Sequence, residues 1–504
     1  MTIVKRLWDR DFPKGMKEWL GWLNVAEWMK AALPPLELFV KDIKSEIDDV
    51  VLLGMGGSSL APEVFGLTFG SAPGFPKLHI LDTTDPAAIL HVEQQLDLRR
   101  TLFVVSSKSG GTVETDSLFK YFYEKIPDGR HFIAITDPQT SLDKLGQEKK
   151  FRQIFLNPAD IGGRYSALSY FGAVPAALIG VDLIQLLNHA ISMMKQCQAP
   201  VEQNPGAQLG LWMAEYGLKG KDKVTLMAEK SLSSFGSWVE QLLAESTGKE
   251  GKGLIPIDGE TPGDPDVYGA DRLFVYLSVR GENQRYAEKV VQLEKAGFPV
   301  TKIVLENKMA LGGEFFKWEF ATAVAGEVLK INAFDQPNVQ ESKDNTKALL
   351  QIFVKDGKLP PPPAADANLE TILNAKPGDY VALMAYIERS AAHDEMLQRI
   401  RIALRDRLKV ATTLGYGPRF LHSTGQLHKG GPNSGIFIQF TAKDEKDISI
   451  PGAPYTFSTL KQAQALGDLQ SLIRHGRRVI HINLGTSISE NLDRFLAVER
   501  SAKP

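Results

Sequence analysis

Short, mostly apolar, β-favouring runs alternate with helix-patterned stretches through most of this 504-residue chain, and that alternation limits the available folds. The first set occupies residues 50–53, 79–81, 102–106, 131–136 and 153–156. Runs apolar on both faces need cover on both, and the spacing leaves room for a helical crossover after each one. βαβ units with a parallel sheet are therefore predicted. From about 167 to 218 the pattern turns helical, with Leu183, Leu186, Leu187, Ala190 and Met194 at core-like spacing. A second alternating set follows at 224–228, 274–279 and 300–305, predicting another parallel sheet and two related α/β domains, although no exact internal repeat is present. Pro360 to Pro363, followed by AADAN, reads either as a linker or as a surface loop. Beyond it the pattern predicts a strand at 380–385, a charged helix at about 391–409, a strand at 435–440 and a helix-strand unit at 459–484.

Composition narrows the class. A chain of this length should form two or three domains. Lys plus Arg (58) nearly balances Asp plus Glu (60), and no basic stripe or tail suggests nucleic acid or lipid. The start, MTIVKRLWDRDFPKG, is too charged for a signal peptide, and Pro175 and Asp182 interrupt the most apolar stretch, which argues against a membrane span. Cys197 is the only cysteine, excluding an intrachain disulfide and a cysteine-based zinc site. A cytoplasmic location is expected, with neither nucleic acid nor membrane as partner.

Six segments carry chemistry. SSKSGGTVET (106–115) directly follows an apolar run, so a strand should end in a hydroxyl-rich, glycine-opened turn that starts a helix. Small residues let backbone N–H groups approach an oxyanion, while Ser107, Ser109 and Thr112 add donors and the helix N-terminus adds a favourable dipole. Lys108 is either a phosphate partner or a solvated cation. GMGGSS (54–59) is a second such turn, and the two could converge on one ligand at a switch point of the sheet. In GGRYS (162–166), Arg164 is either a surface charge or a cation presented into a cleft. In SSFGSWVEQLLAESTGK (233–249), Gln241 and Glu245 share a helix face. Glu245 falls in the last turn, at the negative end of the helix dipole, where it is either a solvated carboxylate or a general base. LHSTGQLHKGGPNSG (421–435) carries His422 and His428, whose spacing fits acid–base work better than a metal motif. Lys461 sits in the first turn of a helix, where the dipole disfavours a cation, so it is either incidental or needed by a ligand.

In that order, GMGGSS, SSKSGGTVET, GGRYS, ESTGK and INAFDQPNVQESK (331–343) resemble the glucose-6-phosphate isomerase family, with its two sugar-isomerase (SIS) type domains. LHSTGQLHKGGPNSG and TLKQAQALGDL are most similar to the isomerase half of bifunctional transaldolase/glucose-6-phosphate isomerases. The resemblance implies an α/β fold of two SIS-type domains with parallel sheets flanked by helices, plus an α/β C-terminal region. Residues 1–48 would form an N-terminal helical segment, 49–200 and 201–355 the two SIS-type domains, and 356–504 the last region. It further implies a hexose phosphate substrate isomerised through a cis-enediolate, without cofactor or metal. Gly57, Ser58, Ser107, Lys108, Ser109 and Thr112 would hold the phosphate and Gln241 the substrate. Glu245 would be the base, Arg164 the enediolate's partner, and His428 and Lys461 the groups that open the ring. His428 is preferred to His422 because its distance to the following strand fits shorter bacterial isomerases.

The chain departs from the usual pattern at Ser109-Gly110, where many isomerases have Thr-Phe, and at Asn338 and Gln340, where Gly and Glu are usual. The resemblance allows a homodimer, and fusion to or association with a transaldolase half. Two rival expectations are an isomerase of another phosphosugar, for example with mannose 6-phosphate activity, and a non-catalytic sugar-phosphate-binding protein.

Overall fold

A computed structural model of the chain describes residues 3–363, 372 and 374–501. Three parallel sheets, each flanked by helices, form the framework. The first contains β1 (Asp49–Gly54), β2 (Lys77–Leu81), β3 (Thr101–Ser106), β4 (Phe132–Thr136) and β5 (Gln153–Leu156) in the order β2-β1-β3-β4-β5. The second contains β6 (Lys223–Ala228), β7 (Ile255–Ile257), β8 (Arg272–Val279) and β9 (Val300–Leu305) in the order β7-β6-β8-β9. The third contains β10 (Tyr380–Tyr386), β11 (Ala411–Tyr416), β12 (Gly435–Thr441) and β13 (Arg478–Asn483) in the order β11-β10-β12-β13. Every pairing within them is parallel. All three sheets thus share one plan: the second strand lies on one side of the first, and the later strands lie on the other.

The expected α/β class and parallel pairing are what the structure contains. β7 and β11 were not expected from the sequence, and both are edge strands. β7 spans three residues and includes Pro256, which an edge tolerates because one of its sides needs no ladder N–H. AADAN falls on residues 364–368, outside the described residues. No helix among the described residues is long and apolar enough to cross a membrane.

The first two sheets share one apolar core, running from Val4 through β1, β3, β6 and β8 to Phe334. Its centre is the 19-residue helix Leu311–Leu329, whose Phe315, Phe316, Trp318 and Phe320 are fully buried. The third sheet has its own core, including Val381, Leu383, Ile400, Leu404, Ile438 and Phe440. Asn338, one of the departures from the family pattern, helps dock this third region. Its backbone N–H donates to Gln426 Oε1 (2.8 Å), and Gln426 Nε2 returns a bond to Asn338 Oδ1 (2.8 Å) and another to Gly248 O (3.0 Å).

Candidate active site

The turns after β1 and β3 stand side by side at the carboxyl end of the first sheet, where the strand order reverses. Ligands of open α/β sheets bind in this kind of crevice. Close approach of four segments builds it, and two glycines allow that approach. A Cβ on Gly57 would sit 2.1 Å from Gly163 O; one on Gly56 would sit 2.6 Å from His422 O and 2.9 Å from Gln241 Nε2. Gly56 also has a φ of +55°, which side chains rarely adopt. The resulting hollow has a volume of about 430 Å³.

Gly57, Ser58, Lys108, Ser109 and Thr112 are among the residues that line it. Ser107 stands behind Thr112, their hydroxyl oxygens 2.9 Å apart. Thr112 precedes the helix Val113–Lys125 without spending its side chain on a cap, so it leaves first-turn N–H groups there. Lys108 pairs with Asp137, donates to Ala159 O (3.0 Å) and lies 5.3 Å from the Trp19 ring centroid. It is a tethered cation beside the hydroxyls.

Arg164, Gln241 and Glu245 line the same hollow. The helix Phe235–Thr247 carries Gln241 and Glu245 one turn apart, and Gln241 Nε2 donates to Glu245 Oε2 (3.1 Å) and His422 O (2.8 Å). Gln241 Oε1 has no hydrogen-bond partner. Arg164 is buried, at 3% exposure, which excludes the surface reading. Its Nε donates to Ser246 Oγ (2.7 Å), Nη1 to Gln336 Oε1 (2.8 Å), and Nη2 to Ala333 O (2.7 Å) and Asp335 O (3.1 Å). So held, Nη1 lies 3.7 Å from Glu245 Oε1.

His422, not the preferred His428, reaches the crevice. Its Nε2 is 2.8 Å from Glu114 Oε1. Burial opposes the charge on Glu114, but His422, with Lys343 further off, outweighs it and holds the carboxyl below its ordinary pKa. Gln464 Nε2 donates to the same oxygen (2.6 Å), and its Oε1 accepts from Thr84 Oγ1 (2.8 Å). His428 lies between the Phe420 and Phe437 rings, with centroids at 5.8 and 5.0 Å, and its Nδ1 is unpartnered. Burial first, then the charges of Lys429 and Arg477, push its pKa well below that of a free histidine, so it is a neutral packing residue.

Lys461 is also outside the crevice. It is fully buried between Asp85 (2.6 Å) and Asp444, and these carboxylates, not a ligand, compensate its place in a helix first turn. They also outweigh burial and raise its pKa. Besides Lys108 and Arg164, a third cation lines the crevice: Lys343, on the helix Pro337–Asp356, accompanied by Gln336 and Val339. Lys343, Gln336 and Glu114 lay inside strings that carried the family resemblance, but nothing in their spacing marked them as site residues.

A family model described as phosphoglucose isomerase matches residues 39–259. The glucose-6-phosphate isomerase of Trichormus variabilis is 34% identical over 395 residues, an alignment covering 66% of this chain and 73% of that protein. Among solved structures, a hypothetical protein from Thermus thermophilus is similar with a TM-score of 0.61 and 26% identity, covering 68% of this chain and 93% of that one. A glucose-6-phosphate isomerase from Chlamydia trachomatis shares the fold, with a TM-score of 0.56 at 22% identity over 71% of this chain and 78% of that one. Sequence identity of 34% over nearly three quarters of a relative decides the question the crevice raised: the chain belongs to the phosphoglucose isomerase family, whose enzymes interconvert glucose 6-phosphate and fructose 6-phosphate.

Proposed function

We propose that this isomerisation takes place in the crevice between the β1 and β3 turns, with Glu245 carrying one proton between C1 and C2. The observation that carries the reading is the 3.7 Å approach of Arg164 to Glu245 in a hollow that Ser58, Ser109 and Thr112 also line. The turn with Ser107, Ser109 and Thr112, helped by Gly57, Ser58 and Lys108, takes the phosphate. That remote binding energy orients the carbon skeleton without taking part in the reaction. Glu245 removes the proton α to the carbonyl and returns it to the neighbouring carbon. Arg164 faces the oxygen on which negative charge develops, where a fixed cation in a water-poor setting is worth most. Gln241 steadies Glu245 through its amide and keeps Oε1 for a substrate hydroxyl.

Sugars arrive ring-closed, so a proton must move between the ring oxygen and the C1 hydroxyl first. His422, oriented by Glu114, is the group for that step, and Lys343 is the nearby cation. Division near residues 48, 200 and 355 suits these roles: the second SIS-type part contributes the base, and the part after 355 contributes His422. A cytoplasmic location fits the lone buried thiol of Cys197.

Glu245→Gln tests the assignment of the base. A positioned base is worth about 10²–10⁴-fold, so turnover should fall by that order while sugar-phosphate binding persists; near-normal turnover would sink it. For His422→Gln the expected signature is a larger defect on ring-closed than on open-chain substrate, and equal defects would remove the ring-opening role.

A further inference from the structure

Lys249 follows Glu245 by four residues and lies just past the end of the same helix, yet it does not line the crevice. It is 2% exposed. Its Nζ donates to Asn332 O (2.7 Å), to Asp335 Oδ1 (2.8 Å) and to Asp335 O, one acceptor for each N–H of an ammonium. These acceptors belong to the irregular segment 332–336, the segment whose Ala333 and Asp335 carbonyls and Gln336 side chain hold Arg164. The Asp335 carbonyl serves both cations. Two further bonds tighten the segment: Asn332 Nδ2 donates to Asp335 Oδ2 (2.9 Å) and Phe334 N to Asn332 Oδ1 (3.0 Å).

We propose that Lys249 is a positioning residue for the isomerisation: its ammonium pins the 332–336 segment so that those carbonyls aim the Arg164 guanidinium at Glu245. This rests on the reading of Arg164 and Glu245 as the reacting pair. A neutral amine has only two N–H groups for three acceptors, so the pin depends on the proton. Burial, and then the charge of Arg164, bring Lys249 down to about 8, while Asp335 and Glu245 favour the ammonium. These three are the charged groups that face it. Loss of the proton should therefore loosen Arg164 as pH rises through about 8.

The test measures kcat and KM on the full chain from neutral to alkaline pH, with circular dichroism to confirm folding. Lys249→Met should lower kcat by about 10- to 100-fold, the cost of a small misplacement of a reacting group, with KM little changed because the phosphate turn is untouched. Lys249→Arg keeps the charge at every accessible pH, and should recover part of kcat and abolish the alkaline decline. Asp335→Ala removes one acceptor from a half-exposed side chain, so it should fold even if the lysine variants do not. Without that carboxylate the ammonium is less favoured, and the alkaline decline should move to lower pH. A folded Lys249→Met with normal kcat, or an unmoved decline in Asp335→Ala, overturns the proposal. Near-normal turnover by Glu245→Gln would instead defeat the reacting pair itself.

Discussion

The first and second sheets share a strand order but treat their carboxyl ends in opposite ways. Past β1 the chain runs Gly54-Met55-Gly56-Gly57-Ser58-Ser59, small enough for three other segments to crowd in and leave a hollow of about 430 Å³. Past β6 the first residue is Glu229, at 1% exposure, which accepts from Tyr276 Oη (3.0 Å) and Tyr286 N (2.9 Å) and pairs with Arg285. The hollow there is about 110 Å³. The third sheet differs from the second: Ile387 and Glu388 past β10 and Gly417 past β11 line a hollow of about 730 Å³ together with Asp82 and Thr83 past β2. The strand order recurs three times, and the hollows at the strand ends differ in size from about 110 to about 730 Å³.

This contrast can be broken from the closed side or sharpened from the open one. The largest expected effect comes from Lys461→Met, which leaves buried Asp85 and partly buried Asp444 without their cation. Removing one partner of a buried pair costs about 3–5 kcal/mol, so the urea midpoint should fall sharply while the ratio of rates on ring-closed and open-chain substrate stays fixed. A shifted ratio would return Lys461 to the site. Next, Arg164→Met at the open end should lower kcat by about 10²–10³-fold, the usual loss of an oxyanion partner; steady-state kinetics showing only a KM change would make Arg164 a binding group.

Glu229→Ala opens the closed end and strands the Tyr276 hydroxyl and the Tyr286 N–H. The cost should be about 1–3 kcal/mol in denaturant titration, with kcat unaltered. Lost activity would mean that the second sheet's end communicates with the crevice. The smallest effect concerns pH. The Glu114 carboxyl titrates lower in the folded chain than its ordinary 4.5. It therefore contributes stability above about pH 4.5, and that contribution fades as pH falls through the folded value. Glu114→Gln should flatten the acid side of the stability profile. An unchanged acid limb would leave the His422–Glu114 pair without energetic weight.

Legibility followed how local each signal was. Strands apolar on both faces announced the sheets. β11, with Thr412 and Thr413 in its middle, and the three-residue β7 escaped because edge positions tolerate weaker patterns. The hydroxyl turn, Arg164 and the Gln241/Glu245 pair were visible because each depends on a few neighbouring residues. The choice between His422 and His428 was not, since it turns on which imidazole meets Glu114, far away along the chain. At Lys461 the sequence left open an incidental cation or one needed by a ligand; the compensation at this helix first turn comes from two carboxylates remote in sequence, Asp85 and Asp444. Lys343 carries no periodic or dipolar mark, and only its fold-imposed position beside Val339 and Gln336 distinguishes it.

The His422–Glu114 contact spans 308 residues, which has a consequence for the nascent chain. At roughly 5–20 residues per second of synthesis, Glu114 leaves the ribosome roughly 15–60 s before its histidine. Throughout that interval the emerging protein carries the phosphate turn, and later the base, without the group proposed to open sugar rings. On the role proposed for His422, ring opening therefore waits until synthesis has passed residue 422, long after the phosphate turn has emerged.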